Sequence, residues 1–223
     1  VVFAFMAAAE IVRATPDVAR VFLLFACALV IDATDGPLAR WMEVKRWLPA
    51  IDGRTLDDIV DYLTYTFLPL LLVWRMGWVP EPGILWVVPA LIASLFGFAN
   101  EDAKDEDRGF FLGFPSYWNL VAFYIGIFHH HYGPWLNAAV LVSLTVLSIL
   151  PVRFVYPNLA PAPWRAAITV GTVAWVGVLG LMLAGYPAVP QWLTWASLSL
   201  PLFYTWVSFY LWRSGRPEKI AFR

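Results

Sequence analysis

At 223 residues, 61% of them apolar and only 14% charged, the chain is far from the balance of a water-soluble domain and reads as a membrane protein. A net charge of −1 without a basic tract argues against a nucleic-acid partner. A single cysteine, Cys27, excludes a disulfide framework or a thiolate metal cluster, and it is expected to pack as a small apolar side chain.

In chain order, hydropathy with proline and glycine punctuation predicts eight spans, roughly 1–13, 17–43, 55–77, 83–100, 116–131, 134–151, 164–185 and 188–212. The first is expected to be the end of a helix that begins before Val1, and it lacks the basic leader and cleavage pattern of a signal peptide. Connections are short, so the expected fold is all-α: one polytopic membrane helix bundle over residues 1–223. Twelve of the 15 Lys and Arg residues fall on one side of that layout, and only Arg13, Arg20 and Arg75 on the other. By the positive-inside rule the richer side faces the cytoplasm, which predicts a multi-pass protein of a bacterial inner membrane.

The second and third spans carry the chemistry. Asp32 and Asp35 stand at i,i+3, Asp57 and Asp61 at i,i+4, so each pair projects from one helix face at the cytoplasmic boundary. Carboxylates there are costly, and a functional role is the default for them. Four that converge would suit Mg²⁺ or Mn²⁺, since hard cations take oxygen ligands. Gly36, Ala39 and Gly53 allow a backbone or phosphate to approach closely, and Arg40 places a fixed cation one turn past Gly36. Asp58 points about 100° away from Asp57 and is expected to pair with Arg54.

The pattern Asp-x2-Asp-Gly-x2-Ala-Arg, then Gly-x3-Asp-x3-Asp, resembles the signature of the CDP-alcohol phosphotransferase family. Asp32, Asp35, Gly36, Ala39, Arg40, Gly53, Asp57 and Asp61 fill every signature position. The twelve-residue spacer from Trp41 to Asp52 is longer than many family members have. Together with the segments 52–62 and 109–119 and the number of spans, it is similar to the family's bacterial phosphatidylcholine-forming branch. The resemblance implies transfer of the phosphatidyl group from CDP-diacylglycerol to choline, releasing CMP. It implies that Asp32, Asp35, Asp57 and Asp61 hold Mn²⁺ or Mg²⁺, with Asp61 also the general base. Gly36, Ala39, Arg40, Gly53 and, more weakly, Thr34 would line the CDP pocket. A homodimer in the lipid bilayer is implied as well.

Choline is a quaternary ammonium, recognised by aromatic faces with an acid nearby. Glu101, Asp102, Tyr117 and Trp118 are the expected contacts, and the acidic segment from Glu101 to Arg108 favours a cationic over an anionic acceptor. Serine, glycerol phosphate or inositol phosphate would keep the same chemistry. Arg153 is expected to meet a lipid phosphate or anchor its loop to headgroups. The tract His129-His130-His131 lies at the opposite boundary and is expected to be an interfacial cap. A divalent-cation transporter would account for the acids but not for the glycines, Ala39 and Arg40 at these spacings.

Overall fold

The computed structural model describes residues 1–100, 104–105 and 109–214, and most of these are helical. The first helix, α1 (Val2–Ile11), packs on α2 (Val18–Trp41). α2 starts where the Asp17 carboxylate accepts from the backbone N–H of Arg20 at 3.0 Å, satisfying one of the donors orphaned at a helix start. It runs through Gly36-Pro37 to Trp41, and Glu43 then turns the chain with φ of 49°. A short α3 (Val44–Trp47) leads to α4 (Gly53–Asp61).

α4 continues without a break into a π-helical segment (Tyr62–Phe67) and α5 (Leu68–Arg75), making one rod from Gly53 to Arg75. α5 packs on the later α7 (Trp118–Tyr132), and α6 (Ile84–Ala99) on α8 (Pro134–Ile149). Between α7 and α8, Gly133 takes φ of 79°, a left-handed value that a residue with a Cβ reaches only at a cost. α9 (Ala162–Ala184), α10 (Gln191–Ser197) and α11 (Ser199–Arg213) complete the helices.

The main core is aliphatic and aromatic, with Ile11, Val21, Leu70, Leu72, Ile125 and Leu141 fully buried. Phe22 meets Phe123 and Tyr186 edge-on at 5.2 and 5.1 Å. Gly126 lets this contact close, because even a methyl group there would collide with Tyr186 and Trp78. Two buried donors tie the helices together: the Asn137 amide donates to the carbonyls of Trp78 and Ile125, and the Trp118 indole to Ser94 Oγ at 2.7 Å.

Each of the eight expected ranges holds helix, while the connections hold something the hydropathy did not reveal. β1 (Lys104–Asp105), β2 (Phe110–Leu112) and β3 (Arg153–Val155) form a small antiparallel sheet in that order. Phe110 pairs with Val155 and Leu112 with Arg153. Aromatic and β-branched residues favour strands, and Gly109 and Gly113, both at positive φ, bound β2. The sheet packs on α11, and Phe110, Val155, Ile168, Val207 and Leu211 make a second apolar cluster. The bundle is therefore helical with a small β element at one end.

α2 and α9 are each long and apolar enough to cross a membrane. α9 buries only Ile168 and Met182, and leaves Val170, Val173 and Leu181 about 70% exposed. An apolar surface of that kind is stable against lipid and not against water. The chain is a membrane protein.

Candidate metal and phosphate site

The site is built where α2 approaches the rod that begins at α4. Asp52 caps α4, accepting from the Thr55 hydroxyl at 2.7 Å and from the Arg54 backbone N–H at 3.1 Å. These two donors, Thr55 first, hold the Asp52 carboxyl below the ordinary aspartate range. The cap sets the start of α4, and four-residue spacing then stacks Asp57 and Asp61 on one face.

Asp32 comes to them from α2. One carboxylate oxygen from each of Asp32, Asp57 and Asp61 lies within 4.8 Å of the others. Three oxygens so close, from separate carboxylates, are the donor set that a hard divalent cation takes, and like charges otherwise repel at that range. The residues therefore fit a Mg²⁺ or Mn²⁺ ion. Asp35, exposed one turn further along α2, is not in this 4.8 Å group. Asp58 is half-buried on another face of α4.

Of the small residues, Gly36 is close to Arg40: a Cβ there would sit 3.4 Å from Arg40 Nη1, so the guanidinium folds back along α2. At Gly53 a Cβ would meet nothing within 4 Å, which leaves open space beside the start of α4. Ala39 and Arg40 are exposed on the last turns of α2. The Thr34 hydroxyl is already given to backbone carbonyls one turn back, those of Val30 and Ile31 at 3.0 and 2.9 Å.

Among the expected acceptor contacts, Tyr117 stands by the acids. Its phenol lies within electrostatic reach of both Asp32 and Asp61, and its ring meets Tyr65 edge-on at 5.9 Å. Trp118 is different: it is fully buried, bonded to Ser94 and packed on Phe114, and so it belongs to the core. Glu101 and Asp102 lie outside the described residues. Arg153, in β3, borders an apolar groove of about 320 Å³ with Leu147, Phe154, Leu202, Trp206 and Phe209. At the other end of the bundle, His131 Nε2 is hydrogen-bonded with the Val189 carbonyl at 2.8 Å, tying α7 to the approach to α10.

Two features escape sequence reasoning. Tyr65 Oη donates to Asp32 Oδ2 at 2.7 Å across 33 residues. The π-helical turn that carries Tyr65 has no sequence signal beyond its position directly after Asp61. Glu10 is the other: it is 5% exposed and bonded to Arg13. A lone acid in an apolar helix with Arg three residues on was its legible sign.

A helical membrane fold that assembles carboxylates of an intact Asp-Gly-Ala-Arg/Gly-Asp-Asp signature defines a CDP-alcohol phosphotransferase. No family model matches the chain, but individual relatives do. It is similar to the phosphatidylcholine synthase of Pseudomonas aeruginosa, 35% identical over 217 residues, covering 97% of this chain and 88% of the relative. It is also similar to that of Legionella pneumophila, 37% identical over 196 residues, 84% of this chain and 75% of the relative. Against the Legionella bozemanae protein it is 42% identical over 132 residues, 58% and 59% of the two chains. The chain belongs to the phosphatidylcholine synthase family, and its members are phosphatidyltransferases.

Proposed function

We propose that the protein transfers the phosphatidyl group of CDP-diacylglycerol to choline, forming phosphatidylcholine and CMP. The observation that carries this reading is the convergence of Asp32, Asp57 and Asp61 within 4.8 Å, in a chain of this family. The active site faces the cytoplasm, at one end of eight membrane-crossing helical rods. The concentration of Lys and Arg on that side supports the orientation.

Asp32, Asp57 and Asp61, with Asp35 joining from the next turn of α2, would hold Mn²⁺ or Mg²⁺. When bound, the ion supplies charge neutralisation at the diphosphate and at the leaving oxygen. Arg40, folded beside Gly36, offers a second positive charge to the CDP moiety, and the open space at Gly53 admits a phosphate or ribose edge. The Asp61 carboxylate takes the proton from the choline hydroxyl. The choline oxygen then bonds to the phosphatidyl phosphorus while the phosphorus–oxygen bond to CMP breaks.

A cationic acceptor suits the site. Tyr117 presents an aromatic ring within the field of Asp32 and Asp61, a setting that attracts a quaternary ammonium and repels an anionic alcohol. Arg153, at the edge of its apolar groove, is placed in this reading against a lipid phosphate with an acyl chain alongside.

The test is CMP release by purified protein in detergent with CDP-diacylglycerol and Mn²⁺, with and without choline, and after chelation. Choline-dependent release that is lost with EDTA and returns with Mn²⁺ is expected. Tyr117→Ala should raise the choline KM about tenfold with little change in kcat. Release with serine, glycerol phosphate or inositol phosphate in place of choline would discard the acceptor. Mn²⁺ uptake without any release would discard the transferase reading.

A further inference from the structure

We infer that Tyr65 is the positioning residue for Asp32, holding that carboxylate turned toward Asp57 and Asp61 in readiness for the divalent ion; the inference rests on the metal reading above. Asp32 faces two acids of the neighbouring rod, Asp57 and Asp61. Like charge would swing its side chain outward, because a carboxylate on a two-torsion stem has other rotamers open to it.

Tyr65 opposes that swing. Its hydroxyl donates to Asp32 Oδ2 at 2.7 Å, a charge-assisted bond of short length. One donor occupies only one of about four acceptor positions on a carboxylate, so the rest stay available for a cation. The bond also adds no positive charge that would compete with the ion.

The tyrosine is itself well held. It is 7% exposed, and the Tyr117 ring meets it edge-on at 5.9 Å. Its backbone lies in the π-helical segment, where the Leu68 N–H reaches back five residues to the Leu63 carbonyl. The wider turn carries Tyr65 round to the α2 side directly behind Asp61. Neighbouring Thr64 gives its hydroxyl to the Val60 carbonyl at 2.9 Å, while Tyr65 reaches Asp32. Groups that orient a metal ligand from behind characteristically control affinity by tenfold or more.

The experiment is a Mn²⁺ titration followed by electron paramagnetic resonance, on the full chain in detergent, for the wild type, Tyr65→Phe, Tyr62→Phe and Asp57→Asn. Tyr65→Phe should bind Mn²⁺ about tenfold more weakly, with its metal-free melting temperature unchanged and its turnover restored by raised Mn²⁺. Tyr62→Phe removes a comparable hydroxyl from the same turn, the one given to the Leu91 carbonyl at 3.2 Å, and should bind as the wild type does. Wild-type affinity in Tyr65→Phe would overturn the positioning role and leave the metal site standing. A fall in metal-free melting temperature with no recovery at high Mn²⁺ would also overturn it, making the bond a tie between helices. No Mn²⁺ site sensitive to Asp57→Asn would overturn both readings together.

Discussion

The two ends of α2 handle carboxylates in opposite ways. Near its start, the Glu10 carboxylate accepts from Arg13 at 3.0 and 3.2 Å and from the Asp17 backbone N–H at 3.1 Å, with Arg20 at 3.6 Å. Arg75 extends the group by donating to the Arg13 carbonyl at 3.0 Å. About 22 Å further along the helix, Asp32 is set against two more carboxylates and accepts from the neutral phenol of Tyr65. The first arrangement is neutralised by the protein's own cations and locks α1 to α2. The second gathers carboxylates from two helices into one group, the donor set proposed above for a divalent ion. Acids near a membrane boundary are thus not equivalent: one is matched by arginines on its own and the next helix, the other is brought beside further acids.

Substitutions separate the two ends most sharply where activity and stability move in opposite directions. Asp57→Asn should lower choline-dependent CMP release on the order of a thousandfold, yet leave the metal-free melting temperature close to that of the wild type, because Asp57 is exposed and surface substitutions cost little. A fall in both would make the cluster a structural element and erase the contrast. Glu10→Gln should do the reverse: a melting temperature lower by on the order of 5 °C, with Mn²⁺ affinity and low-temperature turnover as in the wild type. The comparison breaks if that variant also loses Mn²⁺.

The smallest effect is expected at Asp52. Its folded-state pKa lies below the unfolded value, so the stability it contributes is present above the unfolded pKa, near 4, and is lost as pH falls through the folded one. Asp52→Asn should flatten that acid limb and shift the melting temperature at neutral pH by about 1–2 °C. Thermal melts of both proteins between pH 3 and 7 would show it. An unchanged acid limb would mean that the cap does not set the start of α4.

Much of the molecule was legible in advance. The helix ranges follow from apolar runs between proline and glycine breaks, since a bilayer leaves helices as the way to satisfy the backbone. That Asp57 and Asp61 stand on one face was legible because fixed spacing on a helix converts directly into a shared face. Trp118, expected among the choline contacts, lies fully buried and bonded to Ser94; aromatic residues crowd membrane interfaces, and composition does not separate a ring bonded to a buried serine from one facing a ligand. The β sheet was missed because its strands are two or three residues long, too short for any periodicity.

The chain's composition by itself determined a membrane protein, and its local spacings determined which carboxylates share a helix face. Both are properties of neighbours a turn or less apart. The tertiary structure alone decided that Asp32 meets Asp57 and Asp61, that Tyr65 stands behind Asp32, and that Arg20 of α2 reaches Glu10 of α1. Those pairings join residues distant in sequence through the approach of separate helices, and side-chain packing between helices sets the geometry that no local pattern encodes.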